Sequence, residues 1–157
     1  MEKQWLEALA KMPYGIYVLT TGTGKDMNGM IASWVTQVSY EPPLILVAVH
    51  PNRRTHRLIE QSRAFVLHIL SSEQKAMMSR FKGPDPLAKF EGLQWDTEVT
   101  GCPIIRSCVG FLECRLREKY QPGNHTLFLG EIVNGKVLSD SPVLTTIDYE
   151  GTYTGKF

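Results

Sequence analysis

The stretch Cys108-Val-Gly-Phe-Leu-Glu-Cys-Arg-Leu-Arg117 alternates apolar and charged side chains with the period of two that is typical of a β-strand. One face of this stretch holds the apolar side chains Cys108, Leu112, Cys114 and Leu116, and the other holds Glu113, Arg115 and Arg117. We therefore predict a strand with one face in the core and the other in water.

Further strands are predicted on both sides of this stretch. Residues 14–21 are rich in β-branched and aromatic types, and a Gly-rich turn separates them from the run Gly29 to Val38, which predicts a hairpin. The apolar run Leu44 to Val49 lies between prolines, and we expect it to be a central strand buried on both faces. Ala64 to Leu70 and His125 to Val133 are two more predicted strands.

A few helices are predicted between these strands. Trp5, Leu9 and Met12 have helical spacing, so we expect an N-terminal helix that packs onto the rest and ends at Pro13. Another helix is expected from Arg53 to Gln61, a third over Met77, Met78 and Phe81, and a short one from Asp85-Pro86 to about Phe90. About six strands with hairpin-length connections favour a mainly β, antiparallel barrel over a doubly wound sheet.

Composition excludes several classes of function. The 157 residues are 43% hydrophobic with a formal charge of +1, which predicts one domain over 1–157 and no general affinity for nucleic acid. No run approaches the roughly 20 apolar residues of a membrane span. Three cysteines are too few for a disulfide framework, so we expect a cytoplasmic protein.

Several familiar motifs fail on spacing. Gly24-Lys25 lacks the glycine five residues earlier and the following Ser or Thr of a phosphate loop, since those positions hold Leu19 and Asp26. No Gly-x-Gly-x-x-Gly opens a helix, so a Rossmann dinucleotide site is not predicted. The cysteines lack metal-ligand spacing, and no metal site is expected. His68, inside an apolar strand, is interpreted as a hydrogen-bonded structural histidine, and His50 as a similar one at a strand end.

The start of the second predicted helix is unusually basic. Arg53, Arg54, His56 and Arg57 fall in its first turns, where cations oppose the helix dipole unless an anion is present. Backbone N–H groups, the Thr55 hydroxyl and an arginine together suit a phosphate group. A solvated basic face is the alternative interpretation.

The segment Asn28-Gly-Met-Ile-Ala-Ser-Trp34 combines small residues with two large side chains at the entrance of a predicted strand. Small residues let a flat ligand approach the backbone, whose N–H and C=O groups can hydrogen-bond a polar ring edge. This segment is a candidate wall for such a ligand.

Seven stretches in this order resemble the flavin reductase-like family, the FMN-binding split barrels, over nearly the whole chain. They are Pro13-Tyr-Gly-Ile-Tyr-Val-Leu-Thr-Thr21, Asn28-Gly-Met-Ile-Ala-Ser-Trp34, Val38-Ser-Tyr-Glu-Pro-Pro-Leu44, Asn52 to His56, Phe81-Lys-Gly83, Gly101-Cys-Pro103 and Gly123-Asn-His-Thr-Leu-Phe-Leu-Gly130. The resemblance implies a mainly β, antiparallel six-stranded Greek-key split barrel with a few flanking helices. More narrowly, it looks like the flavin reductase modules that occur alone or fused to rubredoxin or diflavin flavoproteins.

The resemblance also implies site residues. FMN would be bound by residues of four segments, namely Met30, Ile31, Ala32, Ser33 and Trp34, then Ser39, then Asn52, Arg53, Thr55 and His56, and finally Phe81, Lys82 and Gly83. Many family members have a Gly-Asp-His tripeptide whose histidine lies near the nicotinamide of NAD(P)H. Here it is Gly123-Asn124-His125, so His125 is the implied catalytic residue and the carboxylate is replaced by an amide.

The function implied by the resemblance is NAD(P)H-dependent electron transfer through FMN to free flavin, ferric iron or a redox partner protein of the rubredoxin or diflavin flavoprotein type. The amide at Asn124 motivates an alternative, an FMN electron-relay module that a partner protein reduces. Such barrels are typically homodimers, in which Tyr149 and Tyr153 would reach across to the FMN of the other subunit.

Overall fold

Residues 4–148 are described by the computed structural model of the chain, so the expectation about Tyr149 and Tyr153 lies outside the described residues. Within this range the chain forms three α-helices, α1 (Gln4–Leu9), α2 (Arg54–Ser62) and α3 (Ala76–Lys82). Its strands are β1 (Tyr17–Thr21), β2 (Asn28–Ala32), β3 (Val35–Tyr40), β4 (Pro43–Val49), β5 (Ala64–Ile69), β6 (Trp95–Asp96), β7 (Ile104–Ile105), β8 (Gly110–Tyr120) and β9 (Thr126–Val137). None of these helices is long or apolar enough to cross a membrane.

The main sheet has seven antiparallel strands in the order β2-β1-β5-β8-β9-β4-β3, and β6 and β7 form a separate two-stranded sheet. The predicted mainly β, antiparallel architecture is confirmed, and the predicted hairpin is β1 with β2. The count of six strands is wrong because the run Gly29 to Val38 is not one strand. It leaves its pairing with β1 after Ala32 and resumes at Val35, paired with β4.

The prediction that Leu44 to Val49 forms a central strand is also wrong. This run forms β4, which is second from the end of the sheet, and β8 lies in the middle. Ile45, Val47 and Val49 are buried, whereas the alternate residues of β4 are only half-buried. An unbroken apolar run does not distinguish a strand covered on both faces from one whose second face is partly covered.

One hydrophobic cluster of the core draws buried side chains from β1, β4, β5, β8 and β9. Phe65 of β5 and Phe128 of β9 are fully buried in it, together with Val47 of β4. Gly130 is required in β9, because a Cβ atom there would lie 2.6 Å from the Phe65 ring and 2.7 Å from Cys114. The free cysteines are buried, and burial raises the pKa of Cys108 to about 11 and that of Cys114 to about 12.

The expected wet face of β8 contains one buried carboxylate. Glu113 has no exposed surface and accepts hydrogen bonds from the backbone N–H of Thr100 (2.9 Å), its hydroxyl (2.7 Å) and Asn134 Nδ2 (2.7 Å). Burial alone would raise the pKa of Glu113, but these hydrogen bonds outweigh it and the pKa is lowered. The prediction was wrong here because a loop folds over this part of the strand.

The N-terminal helix exists, but its expected packing is wrong. No residue of α1 is buried, and the Trp5 side chain is 59% exposed. Hydrogen-bonded turns continue from α1 to Met12, immediately before Pro13. The apolar spacing predicted the helix correctly, but periodicity alone does not show what covers the apolar face.

His68 of β5 is the structural histidine that the sequence predicts. Its ring is fully buried, Nδ1 lies 3.0 Å from the carbonyl oxygen of Val18, and Nε2 lies 2.9 Å from the backbone N–H of Ile105. Because the carbonyl only accepts and the N–H only donates, the ring is neutral with its proton on Nδ1. His68 thus links β1 to β7.

His68 makes stability depend on pH. Burial lowers its pKa to about 4, whereas an unfolded histidine has a pKa of about 6.5. The unfolded chain therefore binds a proton first, and stability falls as the pH drops from about 6.5 towards 4, by roughly 3 kcal/mol in total. We expect His68→Gln to flatten this part of the pH profile of the urea-unfolding free energy. Equal slopes in both proteins would contradict the assignment.

Candidate active site

A cavity of about 550 Å³ lies where the end of β2, the end of β4, the start of α2 and the end of α3 meet. Its lining consists of Ile16, Asn28, Met30, Ile31, Ala32, Ser33, Trp34, Ala48, His50, Asn52, Arg53, Arg54, Thr55, Met78, Phe81, Lys82, Gly83, Pro84, Lys89, His125 and Thr146. Segments that are far apart in the sequence therefore converge on one cavity.

Most of the sequence-predicted site residues lie at this cavity. The structure brings together there Met30, Ile31, Ala32, Ser33, Trp34, Asn52, Arg53, Thr55, Phe81, Lys82, Gly83 and His125. The residues from Met30 to Trp34 lie together because the chain runs directly from β2 to β3. Ser33 and Trp34 form the connection between these two strands. Arg53 and Thr55 lie at the start of α2.

Two predicted residues are placed elsewhere. His56 turns towards β9, where its Nε2 lies 2.7 Å from the Thr126 hydroxyl and its ring lies 5.0 Å from that of Phe128. Ser39 lies in β3 opposite Leu44 and is not part of the cavity lining. Contact of His56 or Ser39 with a cofactor stays a prediction.

The close approach of α3 to β2 positions the Phe81 to Gly83 segment. The Phe81 side chain is buried against Gly29, where a Cβ atom would lie 2.6 Å from the ring. Phe81 also packs edge-on against Phe90, with ring centroids 5.7 Å apart. Glycine at position 29 therefore sets the distance between α3 and the cavity wall.

Lys89 is a cavity residue that the sequence reasoning missed. Its ammonium group is buried and donates hydrogen bonds to Asn28 Oδ1 (3.0 Å) and the carbonyl oxygen of Gly29 (2.8 Å). Asn28 Nδ2 in turn donates to the Thr55 hydroxyl at 3.3 Å. Arg80 of α3 holds the Lys89 segment by donating to the carbonyl oxygen of Glu91 at 2.6 Å. No motif marks Lys89; its only signal is a lysine next to Phe90 in a short predicted helix.

This end of the cavity is positively charged. Burial lowers the pKa of Lys89. The positive charges of Arg53 and Arg54 lower this pKa further, whereas Asp85 raises it. Within residues 4–148 neither Lys89 nor Arg54 forms an ion pair with a carboxylate, and the first turn of α2 contains no acidic residue. Three neighbouring cations at a helix N-terminus are most stable when they share a bound anion.

Another part of the cavity lining is aromatic. The Trp34 and His125 ring centroids are 4.6 Å apart, and the His50 ring lies edge-on to His125 at 5.2 Å. Asn52 donates its backbone N–H to His50 Nδ1 at 3.1 Å. Burial lowers the pKa of His125, and the nearby His50 and Arg53 lower it further. From the sequence, His50 is predicted only as a structural histidine at a strand end, not as part of this site.

Comparison with known proteins identifies the family. The model of the family described as "Flavin reductase like domain" matches residues 9–155. The chain belongs to this family. The resemblance inferred from the sequence is thereby confirmed, and the protein is a flavoprotein oxidoreductase of the flavin reductase type.

Individual relatives agree with this flavin reductase assignment. The chain is 33% identical to the ferric-chelate reductase (NAD(P)H) of Archaeoglobus fulgidus, covering 96% of this chain and 92% of the relative. It is 28% identical to the high molecular weight rubredoxin of Moorella thermoacetica, covering 95% and 67%. The NADH:FAD oxidoreductase SgcE6 of Streptomyces globisporus superposes with a TM-score of 0.84 at 29% identity, covering 92% and 87%. The split-barrel fold is therefore confirmed.

The tight contact between Gly29 and Phe81 can be tested by adding one methyl group. We expect Gly29→Ala to lower the free energy of unfolding in urea by about 1–3 kcal/mol, the usual cost of overpacking. Gly123→Ala is the matched control, because a Cβ atom at Gly123 meets nothing within 4 Å. Combining Gly29→Ala with Phe81→Leu should recover part of the loss. A Gly29→Ala protein as stable as the control would show that the contact is not restrictive.

Proposed function

We propose that this flavin reductase binds FMN in the cavity, accepts hydride from NAD(P)H and passes electrons to free flavin, ferric iron or a redox partner protein. The observation that supports the proposal most directly is that one cavity combines a cluster of cationic donors with aromatic side chains. A flavin mononucleotide has the matching parts, a phosphate and a flat ring.

The cationic donors of the cavity fit a phosphate. Arg53 and Arg54 provide guanidinium groups, Thr55 provides a buried hydroxyl, and Lys89 provides a buried ammonium group. Charge-assisted hydrogen bonds from such groups are the strongest that a phosphate receives. Burial is the main cause of the lowered pKa of Lys89, and a bound phosphate would offset the further lowering by Arg53 and Arg54.

The wall formed by the end of β2 fits a flat ring. Because the side chains of Ala32 and Ser33 are small, they leave space in front of the backbone. Met30 and Trp34 flank them and line the same cavity. The backbone between β2 and β3 makes no sheet pairing at Ser33, which leaves its polar groups suited to a ring edge.

The chain's own residues then bind and orient rather than perform acid–base catalysis. Bound flavin supplies the hydride and electron transfer chemistry. Arg53, Arg54 and Lys89 fix the phosphate end, and Phe81 to Gly83 limit access of water from the side of α3. His125, next to Trp34 and His50, is proposed to contact the nicotinamide.

The second candidate function is an FMN electron relay that a partner protein reduces. It is favoured by Asn124, which replaces the carboxylate beside His125, and by the similarity to a high molecular weight rubredoxin. A homodimer, one domain over residues 1–157 and a cytoplasmic location stay predictions of the sequence.

Stopped-flow mixing of the FMN-loaded protein with NADH or NADPH distinguishes the two functions. We expect the absorbance of oxidised flavin to disappear with at least one donor, and repeated turnover when free flavin or a ferric chelate is added. If neither nucleotide bleaches the protein but reduced rubredoxin does, the relay function is correct and the reductase function is wrong.

The phosphate site is tested by comparing FMN with riboflavin, which lacks the phosphate. We expect Arg53→Gln and Lys89→Gln each to weaken FMN binding by ~1.5–3 kcal/mol, the contribution of a charged hydrogen bond, without changing riboflavin binding. Arg57→Gln is the control, since exposed Arg57 lies on α2 outside the cavity lining. Calorimetric titration measures all three. Equal losses of binding free energy for FMN and riboflavin would show that the phosphate binds elsewhere. Tighter binding of FAD than of FMN would show that FAD is the cofactor.

A further inference from the structure

His56, in the first turn of α2, links this helix to the start of β9. Its Nε2 lies 2.7 Å from the Thr126 hydroxyl, and its Nδ1 lies 3.2 Å from Glu60 Oε1, one turn further along α2. The His56 side chain is only 12% exposed and Thr126 only 3%, so water has little access to this link. A hydrogen bond in such surroundings is electrostatically stronger than one in water.

The hydrogen bonds along this link have one direction. Lys119 of β8 pairs with Glu60 and holds the pKa of that carboxyl below its ordinary value, so Glu60 is ionised at neutral pH. A carboxylate only accepts, so His56 donates to it from Nδ1. Burial lowers the pKa of His56, although Glu60 opposes this, and the Nε2 of the neutral ring accepts from the Thr126 hydroxyl. Glu60 and His56 together therefore connect α2 to both β8 and β9.

Both ends of the hydrogen bond between His56 and Thr126 lie next to cavity residues. His56 directly follows Arg54 and Thr55, and Thr126 directly follows His125. Arg54, Thr55 and His125 line the cavity, whereas His56 and Thr126 are not among the described residues of its lining. A shift of α2 along β9 would therefore change the distance between the cationic donors and the imidazole of His125.

We propose that His56 is a positioning residue, which through Thr126 fixes the first turn of α2, and with it the cationic donors of the cavity, against the start of β9. The inference rests on the proposed function, because it takes the phosphate of FMN as the group that these donors bind. Asn28, which donates to the Thr55 hydroxyl, holds the same turn against β2. The link to Thr126 holds it in a second direction, and His56 serves the phosphate without touching it.

The link is tested by Thr126→Val, which removes the hydroxyl and leaves His56 and the side chains of the cavity unchanged. We expect FMN to bind roughly three- to tenfold more weakly, as the loss of one hydrogen bond predicts, and riboflavin, which lacks the phosphate, to bind as before. Thr126→Ala, which also lacks the hydroxyl, should give the same selective loss. Thr126→Ser, which keeps the hydroxyl, should bind FMN like the natural protein. Calorimetric titration measures each affinity.

Ser62→Ala is the matched control, because it removes a hydroxyl from the other end of α2. The Ser62 hydroxyl lies 3.0 Å from that of Thr21 and is not part of the first turn. This variant should leave the ratio of the FMN and riboflavin affinities unchanged. Equal effects of Ser62→Ala and Thr126→Val on this ratio would overturn the proposal. So would a loss of FMN affinity in His56→Leu but not in Thr126→Val, because His56 would then contact the phosphate itself.

A measurement without ligand separates a failure of this proposal from a failure of the proposed function. In urea unfolding, His56→Leu and Thr126→Val combined should destabilise the protein by less than the sum of their separate effects, because both remove the same hydrogen bond. Additive effects would show that the two side chains are not linked, and the proposal would be wrong. A natural protein that binds neither FMN nor riboflavin would contradict the proposed function instead.

Discussion

The change of strand pairing between Ala32 and Val35 is the constraint on which the rest of the structure depends. β2 pairs with β1 at one end of the sheet, and β3, which follows it directly, pairs with β4 at the other end. The sheet therefore curves until its two ends are joined by a short connection, without closing through hydrogen bonds between β2 and β3. The cavity forms at this connection, where the backbone is released from sheet pairing.

The charges of the cavity follow from the elements that meet there. The start of α2 contributes Arg53 and Arg54, and α3 holds the segment that carries Lys89 through Arg80. A buried ammonium group beside two guanidinium groups is costly to the folded chain alone. An anion bound there, as proposed, would offset this cost.

Sequence patterns predicted which segments form strands and helices better than they predicted what packs against those segments. Alternation and apolar runs identified most of the strands of the main sheet. The basic start of α2, interpreted from the sequence as a phosphate site, lies at the cavity, and its contact with a phosphate stays a prediction. The predictions of a central β4, a packed α1 and a solvent-exposed Glu113 were wrong. Each of these properties depends on which distant segment covers the element. Lys89 was missed for the same reason, since its burial comes from Asn28 and Gly29, about sixty residues earlier in the chain. The resemblance implied site residues that patterns alone left ambiguous; most of them line the cavity, and their roles stay predictions.

The long-range pairing of β4 with β9 has a consequence for how the protein folds. β8 and β9 are neighbours in the sequence and can pair early, whereas β4 joins β9, and β1 joins β5, only after long intervening segments have been brought together. Closing such segments costs entropy before any contact is gained, so folds of this kind acquire their last pairings slowly. The cavity draws its walls from β2, β4 and the residue before β9. A ligand therefore recognises only the completely folded chain, and its binding free energy adds to the stability of that state alone.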